Sequence, residues 1–248
     1  MVETNVGCVA EEMLYCQNYS WMSRTNFQCL DTLRLEEYYM NLISNNPLLD
    51  KIKFDITHNY KCHTIILYGS RARNNATKTS DYDIIAIREK GDFVRDCQIL
   101  ESVYLDIFIY SEDDIKNPDK SFIRIKDGIV LCQKDHLGDE LLNKVNSIFK
   151  SGPTPTPNWE IHEINAWIMK MLERAKQGGI EANFRRHWLL HELLECYFKL
   201  RNAWYLGPKE NFQWLERNDA LTFIAFDNAL KPNADFNSLE DLIARVRL

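Results

Sequence analysis

Residues 64–73 read Thr64-Ile65-Ile66-Leu67-Tyr68-Gly69-Ser70-Arg71-Ala72-Arg73, and residues 80–87 read Ser80-Asp81-Tyr82-Asp83-Ile84-Ile85-Ala86-Ile87. Both apolar runs are short and rich in isoleucine, the pattern of buried strands. The first run ends at Gly69, where the missing Cβ lets the chain turn sharply and lets backbone N–H groups approach a ligand. Ser70 adds a hydroxyl and is expected to open a helix, whose free N–H groups and dipole favour an anion. Arg71 and Arg73 supply guanidinium forks suited to phosphate oxygens.

The second run opens on two acids. Asp81 and Asp83 are two residues apart, so on a strand they share one face. Carboxylates crowded on one face repel unless a cation sits between them. A hard divalent ion such as magnesium, which takes one or two carboxylates and completes its shell with phosphate oxygens, is the simplest partner. Residues 103–110, Val103-Tyr104-Leu105-Asp106-Ile107-Phe108-Ile109-Tyr110, alternate as a strand, and Asp106 is the third carboxylate if that strand lies beside the first pair. Without metal, at least one of the three acids is expected to titrate above its ordinary value.

Further along, Lys126-Asp127-Gly128 signals a turn before a fourth strand at Ile129-Val130-Leu131-Cys132, and helical stretches flank the strands at 33–44 and 137–149. Then comes Ser151-Gly152-Pro153-Thr154-Pro155-Thr156-Pro157. Its alternate prolines predict a stiff extended connection. Beyond it, Ile161, Ile164, Ile168, Met171 and Leu172 recur at helical spacing, as do Leu190, Leu193, Leu194, Tyr197 and Phe198. Ser238-Leu239-Glu240-Asp241 resembles a cap before a last helix. Trp159, Trp167, Trp188, Trp204 and Trp214 suit the core of a helical bundle, or aromatic walls for a ring-shaped ligand. The expected fold is α+β: an N-terminal extension over 1–32, a small mixed-sheet domain over 33–150, a Pro-rich linker over 151–157 and an all-α bundle domain over 158–248.

Composition narrows the function. With 30 basic against 36 acidic residues the formal net charge is −6, which argues against bulk nucleic-acid binding. No stretch approaches the roughly 20 apolar residues of a membrane helix, and Glu3, Glu11 and Glu12 do not read as a secretory leader. The seven cysteines are odd in number and widely spaced, which suggests reduced thiols and a cytoplasmic protein, with no support for a zinc site.

A Gly-Ser turn, a gap of about ten residues, an Asp-x-Asp among apolar residues and a later strand Asp resemble the DNA polymerase beta-like nucleotidyltransferase superfamily. Gly69-Ser70-Arg71-Ala72-Arg73 and Ser80-Asp81-Tyr82-Asp83 are similar to the motif of its small bacterial members, the minimal, aminoglycoside and lincosamide nucleotidyltransferases. The resemblance covers mainly residues 60–135. It implies transfer of a nucleoside monophosphate from an NTP, with ATP the expected one, to an acceptor hydroxyl, with pyrophosphate released and two magnesium ions assisting. It also implies that Gly69, Ser70, Arg71, Arg73 and Ser80 hold the nucleotide, that Asp81, Asp83 and Asp106 bind metal, and that Asp106 helps deprotonate the acceptor. Many members have Gly where this chain has Asn74, a residue that tolerates left-handed backbone.

The resemblance implies a small hydroxylated acceptor, such as an aminoglycoside-like antibiotic, held against the helical domain, and it allows a homodimer. A protein or tRNA end as acceptor, and a non-catalytic nucleotide-binding module, are the alternatives. Candidate acceptor-side residues are Glu160, Glu163 and Lys209, with Glu192 and Glu195 as rival bases. His187, His191 and Glu195 are four apart on one helix face, a weaker metal pattern. Arg186 and His191 also fit the loose Arg-x4-His pattern of HEPN ribonuclease domains.

Overall fold

The computed structural model describes residues 46–247, so the expected extension over 1–32 and the helix over 33–44 lie outside the described residues. The first element is helix α1 (Pro47–Tyr60), which the sequence reading passed over. Its start is well specified: Asn46 accepts a hydrogen bond from Leu49 N, Pro47 takes the first helical position, and Leu49, Ile52 and Ile56 form the buried stripe.

Five strands then form one mixed sheet among the described residues: β1 (Cys62–Tyr68), β2 (Tyr82–Arg88), β3 (Val94–Leu100), β4 (Val103–Ser111) and β5 (Ile129–Cys132). A single four-residue turn of helix, α2 (Gly69–Ala72), follows β1, and a 3₁₀ segment (Lys120–Ile125) precedes β5. The strand order is β3-β4-β2-β1-β5, and only β2 and β4 run parallel. The chain leaves β2, skips a place to build β3, and returns by hairpin to insert β4 between them.

The isoleucine runs carry no clean alternation because both faces of the sheet are covered. Ile65, Leu67, Ile84, Ala86, Ile107 and Ile109 pack with α1. Ile66, Ile85 and Ile87 pack on the other face with Phe122, Ile125, Leu141 and Val145, from the 3₁₀ segment and from helix α3 (Leu137–Ser151). The sequence reading anticipated four of the five strands. It missed β3, whose polar, largely exposed residues give no burial pattern because it is an edge strand.

After Ser151 the chain runs without regular structure to Pro157. It then forms helices α4 (Asn158–Ala175), α5 (Gly179–Leu200), α6 (Pro208–Asn218), α7 (Ala220–Leu230) and α8 (Phe236–Val246). Their shared core contains Ile168, Leu189, Leu193, Phe226, Leu239 and Leu242. The α+β expectation therefore stands, with two details corrected. The last helix is capped by Asp235, whose carboxylate accepts from Ser238 N, so Ser238 lies inside the first turn rather than at the cap. Trp159 and Trp188 are exposed rather than core residues, whereas Trp167 and Trp214 do pack against the core.

Candidate active site

β1 delivers the chain to Gly69 at φ +73°, a conformation that costs a residue with a Cβ. A Cβ built on Gly69 would stand 2.1 Å from Oδ2 of Asp83. The turn is thus bare for a specific reason: the Asp83 carboxylate lies directly against its backbone. The pairing of Tyr68 with Asp83 across β1 and β2 sets that approach.

The parallel register of β2 and β4 places Asp83 beside Asp106. Directly paired residues of parallel strands point to the same face, so both carboxylates stand on the face that carries Ile85 and Phe108. Asp81 precedes β2 by one residue and is exposed. Burial first, then the Asp81 and Asp106 charges, push the Asp83 carboxyl up to about 6, against the opposing pull of Arg73 and Arg124.

Asp106 is held differently. Arg95 of β3 grips it with two hydrogen bonds, Nε to Oδ1 and Nη2 to Oδ2, both 2.9 Å. The Cys97 thiol donates to Oδ1 at 3.3 Å. These donors, Arg95 foremost, hold the Asp106 carboxyl below the usual range. Arg124 adds a cation on the same face, 3.9 Å above the Phe108 ring, and donates to the Tyr110 hydroxyl. Among the described residues no group of three His, Cys, Asp or Glu side chains is gathered closely enough to enclose a metal ion. The donor set nonetheless suits a hard divalent ion through Asp81 and Asp83, with Asp106 shared with Arg95.

The nucleotide-side candidates fall into two groups. Ser70 is half-buried, and its hydroxyl has no hydrogen-bond partner among the described residues. Arg71, in contrast, turns back. Its Nε donates to the carbonyls of Ser80 and Asp81 at 3.1 Å, and its guanidinium stacks 4.0 Å over Tyr82. Ser80 closes the same loop, its hydroxyl accepting from Thr77 N at 2.8 Å. Arg71 and Ser80 therefore hold the loop that carries the Asp81–Asp83 pair. Asn74 adopts φ 55°, the left-handed backbone foreseen for it.

Arg73 reaches the helical domain, where its Nη2 lies 3.0 Å from Glu210 of α6. Lys126 approaches the other Glu210 oxygen at 3.7 Å, and Lys209 donates to the Asn75 carbonyl at 3.1 Å. The acceptor-side candidates are dispersed. Glu160 accepts from Lys199 at 2.7 Å on the helical domain, Glu163 is exposed, and Glu192 contacts His191 at 3.2 Å. The residues that sequence reasoning missed are Arg95, Cys97, Arg124 and Glu210. For the first two, the missing signal was β3 itself.

The described residues thus present a five-strand mixed sheet with neighbouring carboxylates beside a bare Gly-Ser turn. Residues 50–137 match the family described as Polymerase beta, Nucleotidyltransferase, and this part of the chain is a domain of that polymerase beta-like superfamily, a transferase of nucleotidyl groups. No curated relative matches the chain. Among solved structures, a nucleotidyltransferase-like protein from Exiguobacterium sibiricum 255-15 is similar at 10% identity and a TM-score of 0.41, covering 80% of this chain and 73% of that one. A likeness that loose carries no argument about function.

Proposed function

We propose that the protein transfers a nucleoside monophosphate from an NTP, ATP in the first instance, to a hydroxyl of a small acceptor such as an aminoglycoside-like molecule, with magnesium bound at the carboxylates. The observation that carries this reading is the in-register Asp83–Asp106 pair beside Gly69. Magnesium held by Asp81 and Asp83, two ions where Asp106 also contributes, would neutralise the triphosphate and the departing pyrophosphate.

The chain's own groups do the rest. The bare backbone at Gly69 and the free hydroxyl of Ser70 receive phosphate oxygens. Arg71 and Ser80 fix the loop from which Asp81 projects. Asp106 takes the proton of the acceptor hydroxyl as its oxygen bonds to the α-phosphorus, and the bond from that phosphorus to the bridging oxygen of pyrophosphate breaks. Arg95 tempers the basicity of Asp106 until it lets go, and Arg124 offsets charge on the same face. The net charge of −6 disfavours a polyanionic acceptor.

Incubating the protein with α-labelled NTPs, magnesium and a panel of hydroxylated acceptors tests the reading. Label is expected on a small acceptor, and Asp83→Asn is expected to lose at least about 100-fold of the transfer rate, since even outer-shell changes at metal sites cost up to that much. Undiminished transfer by Asp83→Asn overturns the mechanism. Label appearing only on protein or tRNA overturns the acceptor.

A further inference from the structure

The helical domain contains a cavity of about 500 Å³ between α5, the loop before α6 and the end of α7. That volume lies in the range of small-molecule sites. Four basic side chains line it: Arg186, His187 and His191 from α5, and Lys231 just after α7. Among the described residues, no lining side chain is acidic. Arg186 and Lys231 make this lining positive in a chain whose net charge, with histidine neutral, is −6. Between the basic groups the walls are apolar or aromatic, with Leu190, Leu194, Phe212 and Tyr205.

Two polar side chains here are unengaged among the described residues. Within the described residues no hydrogen bond or ion pair engages the His187 ring, and none engages the Tyr205 hydroxyl. Arg186 is anchored through one terminal nitrogen, which donates to the Ala234 carbonyl, and its guanidinium lies 5.2 Å from the Phe236 ring. The fork is therefore held in place before any ligand arrives, which lowers the ordering cost of binding. Lys231 touches Asp227 at 3.2 Å, and Glu192 meets His191 at Nδ1, leaving its Nε2 for a ligand. Neither carboxylate enters the cavity wall.

We propose that this cavity is a binding site for a small organic anion with an aromatic body, such as an aryl carboxylate, sulfonate or phosphate. The basic groups would take the anion, and the Leu190–Phe212 wall would take the ring. The site goes beyond the transfer reaction, yet it is joined to it. Pro208 lines the cavity, and the next two residues, Lys209 and Glu210, are those that contact Asn75 and Arg73 in the loop after Gly69.

Two probes of nearly the same shape test the proposal: 8-anilinonaphthalene-1-sulfonate, which is anionic, and N-phenyl-1-naphthylamine, its uncharged counterpart. Each is titrated by fluorescence against the full chain, without NTP or metal, so the outcome does not depend on whether the carboxylate site transfers nucleotide. The sulfonate is expected to bind one per chain, at least about tenfold more tightly than the neutral probe, as the loss of one charge-assisted hydrogen bond would give. Lys231→Glu and His187→Ala, both at exposed positions, are expected to weaken the sulfonate about tenfold each while leaving circular dichroism and the thermal midpoint unchanged. Equal affinity for the two probes overturns the proposal, as does wild-type affinity in both variants.

Discussion

Asp83 is where the demands of folding and of the proposed chemistry conflict. Its carboxyl lies against Gly69 and beside two other carboxylates, and it titrates near 6 instead of its ordinary 3.8. A carboxyl raised in the fold favours folding while it is protonated, and that contribution is lost as pH rises from about 4 through about 6. Thermal melts of the metal-free protein are therefore expected to fall across that window. Asp83→Asn removes the dependence and gains roughly 1 kcal/mol at pH 8, after allowance for partial solvent screening, even as it abolishes transfer. A melt series in which the wild type and Asp83→Asn follow the same pH profile contradicts this account. Gly69→Ala is the complementary test. A Cβ at φ +73°, driven into the Asp83 carboxylate, is expected to cost about 1–3 kcal/mol in urea unfolding and to weaken NTP binding in a calorimetric titration. These two residues were legible from sequence because their constraint is local: a strand end, a residue that turns, and two acids spaced for one face. The role of Arg71 was not legible. A guanidinium beside a phosphate motif reads as a phosphate ligand, whereas in the fold its Nε donates to the carbonyls of Ser80 and Asp81, a contact with no signal in the sequence.

Among elements, β3 is the instructive case. The reading of 64–68, 82–87 and 129–132 as strands rests on apolar runs that must be buried, and the alternation in 103–110 marks a strand with distinct faces. β3 offers neither signal, because an edge strand pairs on one side only and tolerates polar residues throughout. Yet it supplies Arg95 and Cys97, the partners that define the state of Asp106. Under the proposed reading, a divalent cation at Asp106 would have to compete with Arg95 for the same two oxygens. Arg95→Gln is accordingly expected to raise magnesium affinity several-fold in calorimetry, and an unchanged or weaker affinity contradicts that competition. α1 escaped the sequence reading for a different reason: its cap and proline at Asn46-Pro47 are distinct signals, but the reading placed its flanking helix earlier, at 33–44.

On the scale of the whole molecule, the two domains are stitched by a few polar contacts around the first turn of α6 and by the connection between the domains. Thr156 donates through its N–H to Asn202 Oδ1 and through its hydroxyl to the Lys199 carbonyl, and Trp204 Nε1 donates to the Phe149 carbonyl. Glu210 serves two cations at once, Arg73 and the nearly buried Lys126. Glu210→Ala leaves both with less compensation and is expected to cost about 1–3 kcal/mol in urea unfolding. Glu210→Gln is expected to recover part of that loss, because it restores an acceptor; equal losses would mean that the acceptor is immaterial. None of this network was legible beforehand, since pairs such as Arg73 and Glu210 are far apart in sequence and carry no shared period.

The insertion of β4 between β3 and β2 has a kinetic consequence. Asp83 and Asp106 become neighbours only once the central parallel pair has formed, a non-local step. A partly assembled chain can own every residue of the site and still lack the site. Amides of β2 and β4 should consequently be the slowest to exchange with deuterium, and nucleotide affinity should vanish in the same denaturant interval as the sheet.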